Sequence, residues 1–286
     1  MANIEAGKLT PGLYLVAVPI GNARDITLRA LDVLRAADVL AAEDTRSLRR
    51  LMEIHGIPLG DRPLVAYHDH NGDRARPRLM ADMTAGLSVA YASEAGTPLI
   101  SDPGFDLMRA CVEGGIPATT APGVSAVVTA LTLAGLPTDR FLFAGFLPNA
   151  SGARKTQLKA LADVPATLAF YESPKRVAAM LRDAAEALGD RDAVVCRELT
   201  KKFEECLRGT LSSLSESLMD TNVKGEIVVL VARADSPSVS EQDVTKSLQE
   251  ALETMSVRDA ADFVSQMYRL PRRAVYQQAM QIGRQD

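Results

Sequence analysis

The sequence LYLVAVPIGN, residues 13–22, joins a continuous apolar run to a turn. The run Leu13–Val18 is typical of a strand that is buried on both faces of a sheet. Pro19–Asn22 ends the run, since Pro, Gly and Asn are turn-forming residues. Residues 26–36 then repeat their apolar side chains with a helical period. A buried strand, a short loop and a helix in this order predict a parallel sheet covered by helices.

The same unit recurs through the first half of the chain. Further strand patterns lie at 39–42, 64–67, 89–93 and 116–120. Further helical patterns lie at 48–55, 105–113 and 126–134. This alternation predicts an N-terminal α/β domain over residues 1–136 with a mostly parallel sheet.

The alternation of strand and helix patterns is interrupted at residues 136–149. We interpret this segment as the crossing into a second α/β domain over residues 137–235. Its predicted elements are a helix at 174–188 and strands or extended segments at 167–171, 193–197, 203–211 and 227–232. Residues 235–240 (DSPSVS) have the composition of a linker. Helical patterns at 241–253, 257–268 and 272–282 predict a small helix-turn-helix-like module over 236–286.

Composition excludes several classes of protein. The chain has 286 residues, of which 47% are hydrophobic and 24% charged, as in ordinary globular proteins. Its three cysteines include no C-x-x-C pair, which disfavours a disulfide framework or a zinc site and favours a reducing cytosol. Neither a signal peptide nor a membrane-spanning run is evident, so we predict a cytoplasmic protein without a membrane partner. A net charge of −4 leaves local basic clusters as the means of binding nucleic acid.

The loops that follow the predicted strands carry the unusual residues. They are Pro19–Asn22, Glu43–Arg46, His68–Asn71, Glu94–Pro98 and Pro122–Ser125. In an open α/β sheet, ligands bind at the carboxyl ends of the strands, so these loops predict one shared site. The chain contains neither G-x-G-x-x-G nor a P-loop, which leaves a dinucleotide fold and a P-loop NTPase unsupported.

His68 and His70 flank Asp69, and on an extended segment both rings would face the same side. A metal site would need a third ligand that the sequence does not identify, and we predict no metal. The alternatives are two hydrogen-bonded rings at a strand end, or contact with a substrate and its protons.

Taken in order, the motifs of this chain resemble those of the tetrapyrrole-methylase-type (class III) methyltransferases. They are PIGN (Pro19–Asn22), EDTR (Glu43–Arg46), HDHN (His68–Asn71), EAGTPLISDPG (Glu94–Gly104), PGVSA (Pro122–Ala126), FYESPKR (Phe170–Arg176), RELTK (Arg197–Lys201) and GEIV (Gly225–Val228). Within that family the chain is similar to the enzymes that 2′-O-methylate a cytidine of 16S ribosomal RNA in the small subunit. The resemblance implies two α/β domains with S-adenosylmethionine in the cleft between them, a homodimer and a C-terminal helical module.

The resemblance also implies which residues form the cofactor site. They are Ile20, Gly96, Thr97, Ile100, Ser125, Ala126, Glu172, Leu199 and Glu226. Gly96 would allow close approach of the cofactor, and the amides of Ser125 and Ala126 at a helix start would bind its carboxylate. Three positions depart from the family pattern: Glu94 for the usual Asp, Val124 for Pro, and Lys175 for a frequent His.

A base would assist methylation of a ribose hydroxyl, and the candidates are His68, His70 and Lys201. For the RNA we predict basic surfaces beside the cleft, formed by Arg154, Lys155, Lys175, Arg176, Arg272 and Arg273. Two other functions stay open from the sequence: methylation of a tetrapyrrole-like small molecule, and nucleic-acid binding without catalysis.

Overall fold

The computed structural model of this protein describes residues 7–102, 104–219, 221–234, 241–268 and 270–283. The chain forms a larger unit that extends to Arg233 and a smaller one that begins at Ala234. The linker predicted at 235–240 lies outside the described residues. The domain boundaries placed after residues 136 and 235 stay predictions. None of the described helices is long and apolar enough to cross a lipid bilayer.

The first sheet of the larger unit is parallel, which confirms the fold predicted from strand–helix alternation. Its strands are β1 (Gly12–Val16), β2 (Val39–Ala42), β3 (Leu64–Ala66), β4 (Ser88–Ala92) and β5 (Ala118–Ala121), in the order β3-β2-β4-β1-β5. The intervening helices are α1 (Leu28–Ala36), α2 (Thr45–Ile54), α3 (Gly72–Thr84) and α4 (Phe105–Glu113). Helices α1 and α2 pack on one face and α3 and α4 on the other, so the central strands are buried on both faces.

The helix that follows β5 packs elsewhere. Helix α5 (Ala126–Ala134) buries Val127, Ala130 and Leu131 in a cluster that includes the second-sheet residues Val194 and Val228. The side chain of Ile20, from the loop after β1, belongs to the same apolar cluster. This cluster joins the loop after β1 and helix α5 to the second sheet.

The second sheet is mixed. Its strands are β6 (Phe141–Phe146), β7 (Thr167–Glu172), β8 (Asp192–Arg197), β9 (Glu205–Thr210) and β10 (Ile227–Val231), in the order β6-β7-β10-β8-β9. Strands β6 and β7 are parallel, whereas β7-β10, β10-β8 and β8-β9 are antiparallel. The helices α6 (Ser151–Ala160), α7 (Val177–Leu188) and α8 (Leu211–Met219) cover the face of this sheet that is turned away from α5.

Four elements were not predicted: α3, β6, α6 and α8. Helix α3 contains Pro77, a residue that usually interrupts a helix. Strand β6 contains Gly145 in a left-handed conformation, and its register with β7 shifts there. Its sequence resembles a loop because a β-bulge places a glycine inside the strand. The three cysteines are free thiols.

The smaller unit is a bundle of α9 (Glu241–Leu252), α10 (Val257–Tyr268) and α11 (Arg272–Ile282). Its core contains Val244, Leu248, Val264 and Val275, spaced as an amphipathic helical pattern requires. The predicted helical module is thus confirmed.

Candidate functional site

A cavity of about 360 Å³ lies between the two sheets of the larger unit. The loops after β1, β4 and β5 form one wall, and the ends of β7 and β10 with the loop after β8 form the other. The lining includes every residue predicted for the cofactor: Ile20, Gly96, Thr97, Ile100, Ser125, Ala126, Glu172, Leu199 and Glu226. The structure therefore brings these nine residues to one cavity, and their role toward a cofactor stays a prediction.

Backbone hydrogen bonds fix the wall from the first sheet. Val18 and Gly96 form an antiparallel bridge, with N···O distances of 2.9 and 3.0 Å. The Thr97 hydroxyl donates to the carbonyl oxygen of Val124 at 2.8 Å. These bonds connect the loops after three strands to one another.

Backbone strain marks both walls. Leu99 and Ser101 flank Ile100, and Glu198 and Thr200 flank Leu199, all four with positive φ. A residue other than glycine in this region is strained by about 1–3 kcal/mol, and such strain concentrates at functional sites. Both apolar residues held between strained neighbours line the cavity.

Glu172 places a carboxylate in the opposite wall. Its side chain is buried, and Oε1 accepts a hydrogen bond from the amide of Ser173 at 2.7 Å. Arg176 Nε lies 3.2 Å from the same oxygen, close enough for charge attraction but not aligned for a hydrogen bond. Oε2 has no partner within the described structure. A buried acceptor without a partner is costly, so this oxygen is poised to accept a hydrogen bond from a ligand.

Asp102 lines the same cavity and was not among the predicted residues. Burial, with the nearby carboxylates of Glu43, Glu94 and Asp69, raises its pKa to about 7. None of the ion pairs formed by the described residues includes it. An acidic residue within a loop that follows a buried strand was the signal available from the sequence.

Lys201 is held by two carboxylates at the edge of the cavity. Its ammonium donates to Glu198 Oε1 at 2.8 Å and to Glu226 Oε2 at 2.7 Å. Burial disfavours the charged form, but the two hydrogen-bonded carboxylates outweigh it and raise the pKa of Lys201. The raised pKa favours the protonated form, which cannot accept a proton, so this geometry does not support Lys201 as the general base, and that role stays a prediction.

The two histidines are not among the residues that line the cavity. They follow β3, the edge strand, with ring centroids 6.0 Å apart. The amide of His68 donates to Asn71 Oδ1 at 2.9 Å within a tight turn. The described residues contain no group of three or more His, Cys, Asp or Glu arranged to hold a metal. This placement does not support catalysis by His68 or His70, which stays a prediction.

Arg154 is a correction. It was predicted on an RNA-facing surface, but it is 4% exposed, and its guanidinium bonds Asp183 Oδ2 from Nε at 2.7 Å and from Nη2 at 2.6 Å. Asp183 neutralises the positive charge of Arg154 inside the larger unit, and this ion pair joins α6 to α7.

The other predicted RNA residues differ in how free they are. Lys155 donates to Glu186 at 2.5 Å, Arg176 donates to the carbonyl oxygen of Leu147 at 2.6 Å, and Arg272 pairs with Asp262. Lys175 and Arg273 are exposed. Of the predicted RNA-binding residues, only these two form no ion pair with another described residue. The sequence shows where the cations are but not which of them are already paired.

Comparison with known proteins identifies relatives of both units. Residues 12–215 match the family of Tetrapyrrole (Corrin/Porphyrin) Methylases. Residues 238–283 match the RsmI C-terminal HTH domain. The first match spans both sheets, and the second spans the helical bundle.

Full-length relatives carry the name Ribosomal RNA small subunit methyltransferase I. The protein of Mesorhizobium japonicum is 47% identical over 281 residues, which cover 98% of this chain and 95% of the relative. That of Xylella fastidiosa is 44% identical, covering 93% of this chain and 98% of the relative. Among solved structures, uroporphyrin-III C-methyl transferase from Thermus thermophilus, complexed with S-adenyl homocysteine, has a TM-score of 0.53 at 20% identity. It covers 78% of this chain and 97% of that one, which shows a shared fold.

Proposed function

Because the chain belongs to the Tetrapyrrole (Corrin/Porphyrin) Methylases, and within them to the family of Ribosomal RNA small subunit methyltransferase I, we propose that it methylates 16S ribosomal RNA. The reaction is transfer of a methyl group from S-adenosylmethionine to the 2′-hydroxyl of a cytidine in the small subunit. The observation that carries this proposal is the cavity between the sheets, whose lining contains every residue predicted for the cofactor.

The residues of the cavity fit S-adenosylmethionine. Glycine at position 96 leaves room beside Ile20, and the unpartnered Oε2 of Glu172 offers an acceptor for an amino or hydroxyl group. Ile100 and Leu199 offer apolar contact from opposite walls. The amides at the start of α5, near Ser125 and Ala126, suit a carboxylate.

When bound, this cofactor supplies an activated methyl group on its positively charged sulfonium. The protein's task is to hold donor and acceptor in line and to exclude water, and such positioning is worth roughly 7–11 kcal/mol. The tied loops of the first sheet and the strained segments around Ile100 and Leu199 provide a wall that is ordered in advance. Asp102 places negative charge in the cavity when it is ionised.

Asp102 predicts a pH dependence that separates S-adenosylmethionine from S-adenosylhomocysteine. Its pKa of about 7 means that the carboxyl is mostly protonated at pH 6 and mostly ionised at pH 8. The sulfonium favours the ionised form, so affinity for S-adenosylmethionine should rise by up to about tenfold between these pH values. S-Adenosylhomocysteine lacks that charge and should show no such gain. Calorimetry with both ligands at pH 6, 7 and 8 measures the difference.

Asp102→Asn is the control for this prediction. The variant has no titrating carboxyl at this position, so the ratio of the two affinities should be independent of pH. A wild-type ratio that stays flat, or an Asn variant that keeps the wild-type slope, would contradict the role of Asp102.

The function itself is tested with labelled cofactor and purified 30S subunits that lack the modification. We expect label in 16S RNA and 2′-O-methylcytidine after digestion, identified by mass spectrometry. Methylation of a precorrin but not of subunits would favour a tetrapyrrole substrate. Absence of any heat of binding with S-adenosylmethionine would favour a nucleic-acid-binding protein without catalysis.

We further propose that the protein works in the cytoplasm as a homodimer, a proposal that rests on the family resemblance. Light scattering of the purified protein should give twice the chain mass of 30.7 kDa. A concentration-independent monomer would contradict it.

A further inference from the structure

We infer that a second groove, beside the cofactor cavity, holds the sugar-phosphate strand of the RNA, with Arg46 and Arg50 as its phosphate contacts. This inference rests on the proposed function and names the surface through which the substrate reaches it. Neither arginine is among the RNA-binding residues predicted from the sequence.

The groove has a volume of about 630 Å³ and adjoins the cavity. Ile20, Ala95 and Glu226 line both spaces. Helix α2 forms the far side of the groove, from Asp44 to Ile54. A strand that lies in the groove therefore reaches the cavity at one end while its backbone passes α2.

Arg46 and Arg50 are four residues apart on α2, so their side chains leave the same face of the helix. Their side chains are 91% and 74% exposed. Arg46 lies 3.4 Å from Asp44 and Arg50 lies 3.5 Å from Glu53. Exposed pairs of this kind contribute little, so both guanidiniums are available to a phosphate, which they match as bidentate donors.

The remaining charged residues make the two ends of the groove differ in how well they accommodate a phosphate. Asp44 caps α2 by accepting from the amide of Arg46 at 2.8 Å, and Glu226 is bonded to Lys201 at 2.7 Å. Glu94 lines the groove at the end that adjoins the cavity, where its charge disfavours a phosphate. Phosphates therefore bind at the α2 end, and the sugar to be methylated faces Ile20 and Ala95.

The test compares two doubly substituted proteins that lose the same charge. Arg46→Ala/Arg50→Ala removes the groove contacts. Lys159→Ala/Arg182→Ala removes two exposed cations from α6 and α7, neither of which lines the groove or the cavity. Binding to 30S subunits and to a single-stranded RNA oligonucleotide is measured at several salt concentrations, and binding of S-adenosylmethionine is measured by calorimetry.

We expect the groove variant to bind RNA at least tenfold more weakly and to lose about 1.4 from the slope of log K against log salt, since each contact to a single strand contributes about 0.7. Its affinity for S-adenosylmethionine and the behaviour of the α6/α7 variant should match the wild type. The inference is overturned if the groove variant keeps the RNA binding and KM of the wild type, or if both variants lose RNA binding equally. In either case methylation by the wild type leaves the proposed function intact. Failure of the wild type to methylate subunits would instead refute the proposed function, and RNA binding would still test the groove.

Discussion

Gly96→Val is expected to lower the affinity for S-adenosylmethionine by more than about a hundredfold, which corresponds to about 2.7 kcal/mol. Gly96 lines the cavity with φ of 74°, and a Cβ there would lie 3.3 Å from Ile20 Cγ2 and 3.5 Å from the carbonyl oxygen of Val124. The two methyl groups of valine extend beyond that Cβ into space that a ligand needs. The measurement is calorimetry with S-adenosylmethionine and S-adenosylhomocysteine.

Gly60→Val separates loss of space from backbone strain. Gly60 has φ of 61°, and no described atom lies within 4 Å of the position of its Cβ. A β-branched residue is strained at either position, so both variants should lose stability through the backbone. Only the variant at Gly96 should lose cofactor binding. If Gly96→Val folds and binds both ligands as the wild type does, the cofactor site lies elsewhere.

Arg154→Ala is expected to destabilise the larger unit by about 3–5 kcal/mol, because it leaves the buried carboxylate of Asp183 with only the ammonium of Lys155, 3.9 Å away, as a partner. Asp183 is 1% exposed, and it accepts from two nitrogens of Arg154 at 2.6 and 2.7 Å. The guanidinium also reaches the carbonyl oxygens of Pro148 and Asn149 at 3.4 and 3.3 Å. Thermal unfolding should show a fall in Tm of roughly 6–20 °C.

The double substitution Arg154→Met/Asp183→Leu gives the matching control. Replacing both charges with apolar side chains of similar volume leaves no buried charge, so the double variant should be more stable than Arg154→Ala. The exposed Lys159→Ala on the same helix should change the free energy of unfolding by less than about 0.5 kcal/mol. An Arg154→Ala protein with an unchanged Tm and weaker RNA binding would restore the surface role first predicted for this arginine.

Much of the candidate site was predictable because ligand sites in parallel sheets follow from topology. The loops after β1, β4 and β5 come from strands that are neighbours in the sheet, and their carboxyl ends meet at one edge. The second-sheet residues Glu172, Leu199 and Glu226 came from resemblance to a family and not from any pattern of spacing. Their meeting with the first sheet depends on α5 and Ile20, which pack across both.

The histidines show where order along the chain is a poor guide. His68 and His70 follow a strand just as Gly96 does, so from the sequence alone both loops are equal candidates for the shared site. Pairing places β3 at the edge, with β2 between it and β4, and the two histidines are not part of the cavity lining. Long-range packing determines the order of the strands in a sheet, and the local periodicity of the sequence does not reveal it.

By itself, the sequence determined the parallel first sheet and the helical C-terminal unit, and it placed unusual residues in the loops after β1, β4 and β5. Apolar periodicity and turn-forming residues act over a few neighbouring positions of the chain. A helical or strand period of 3.6 or two residues can therefore be read directly from the sequence. Only the tertiary structure decided which charges are free. Arg154 and Lys201 are paired with carboxylates that come from other elements, whereas Arg46 and Arg50 stay exposed beside the cavity. The interaction energy of a charged side chain depends on the groups around it in space and on its exposure to water. Neither can be read from the order of the residues.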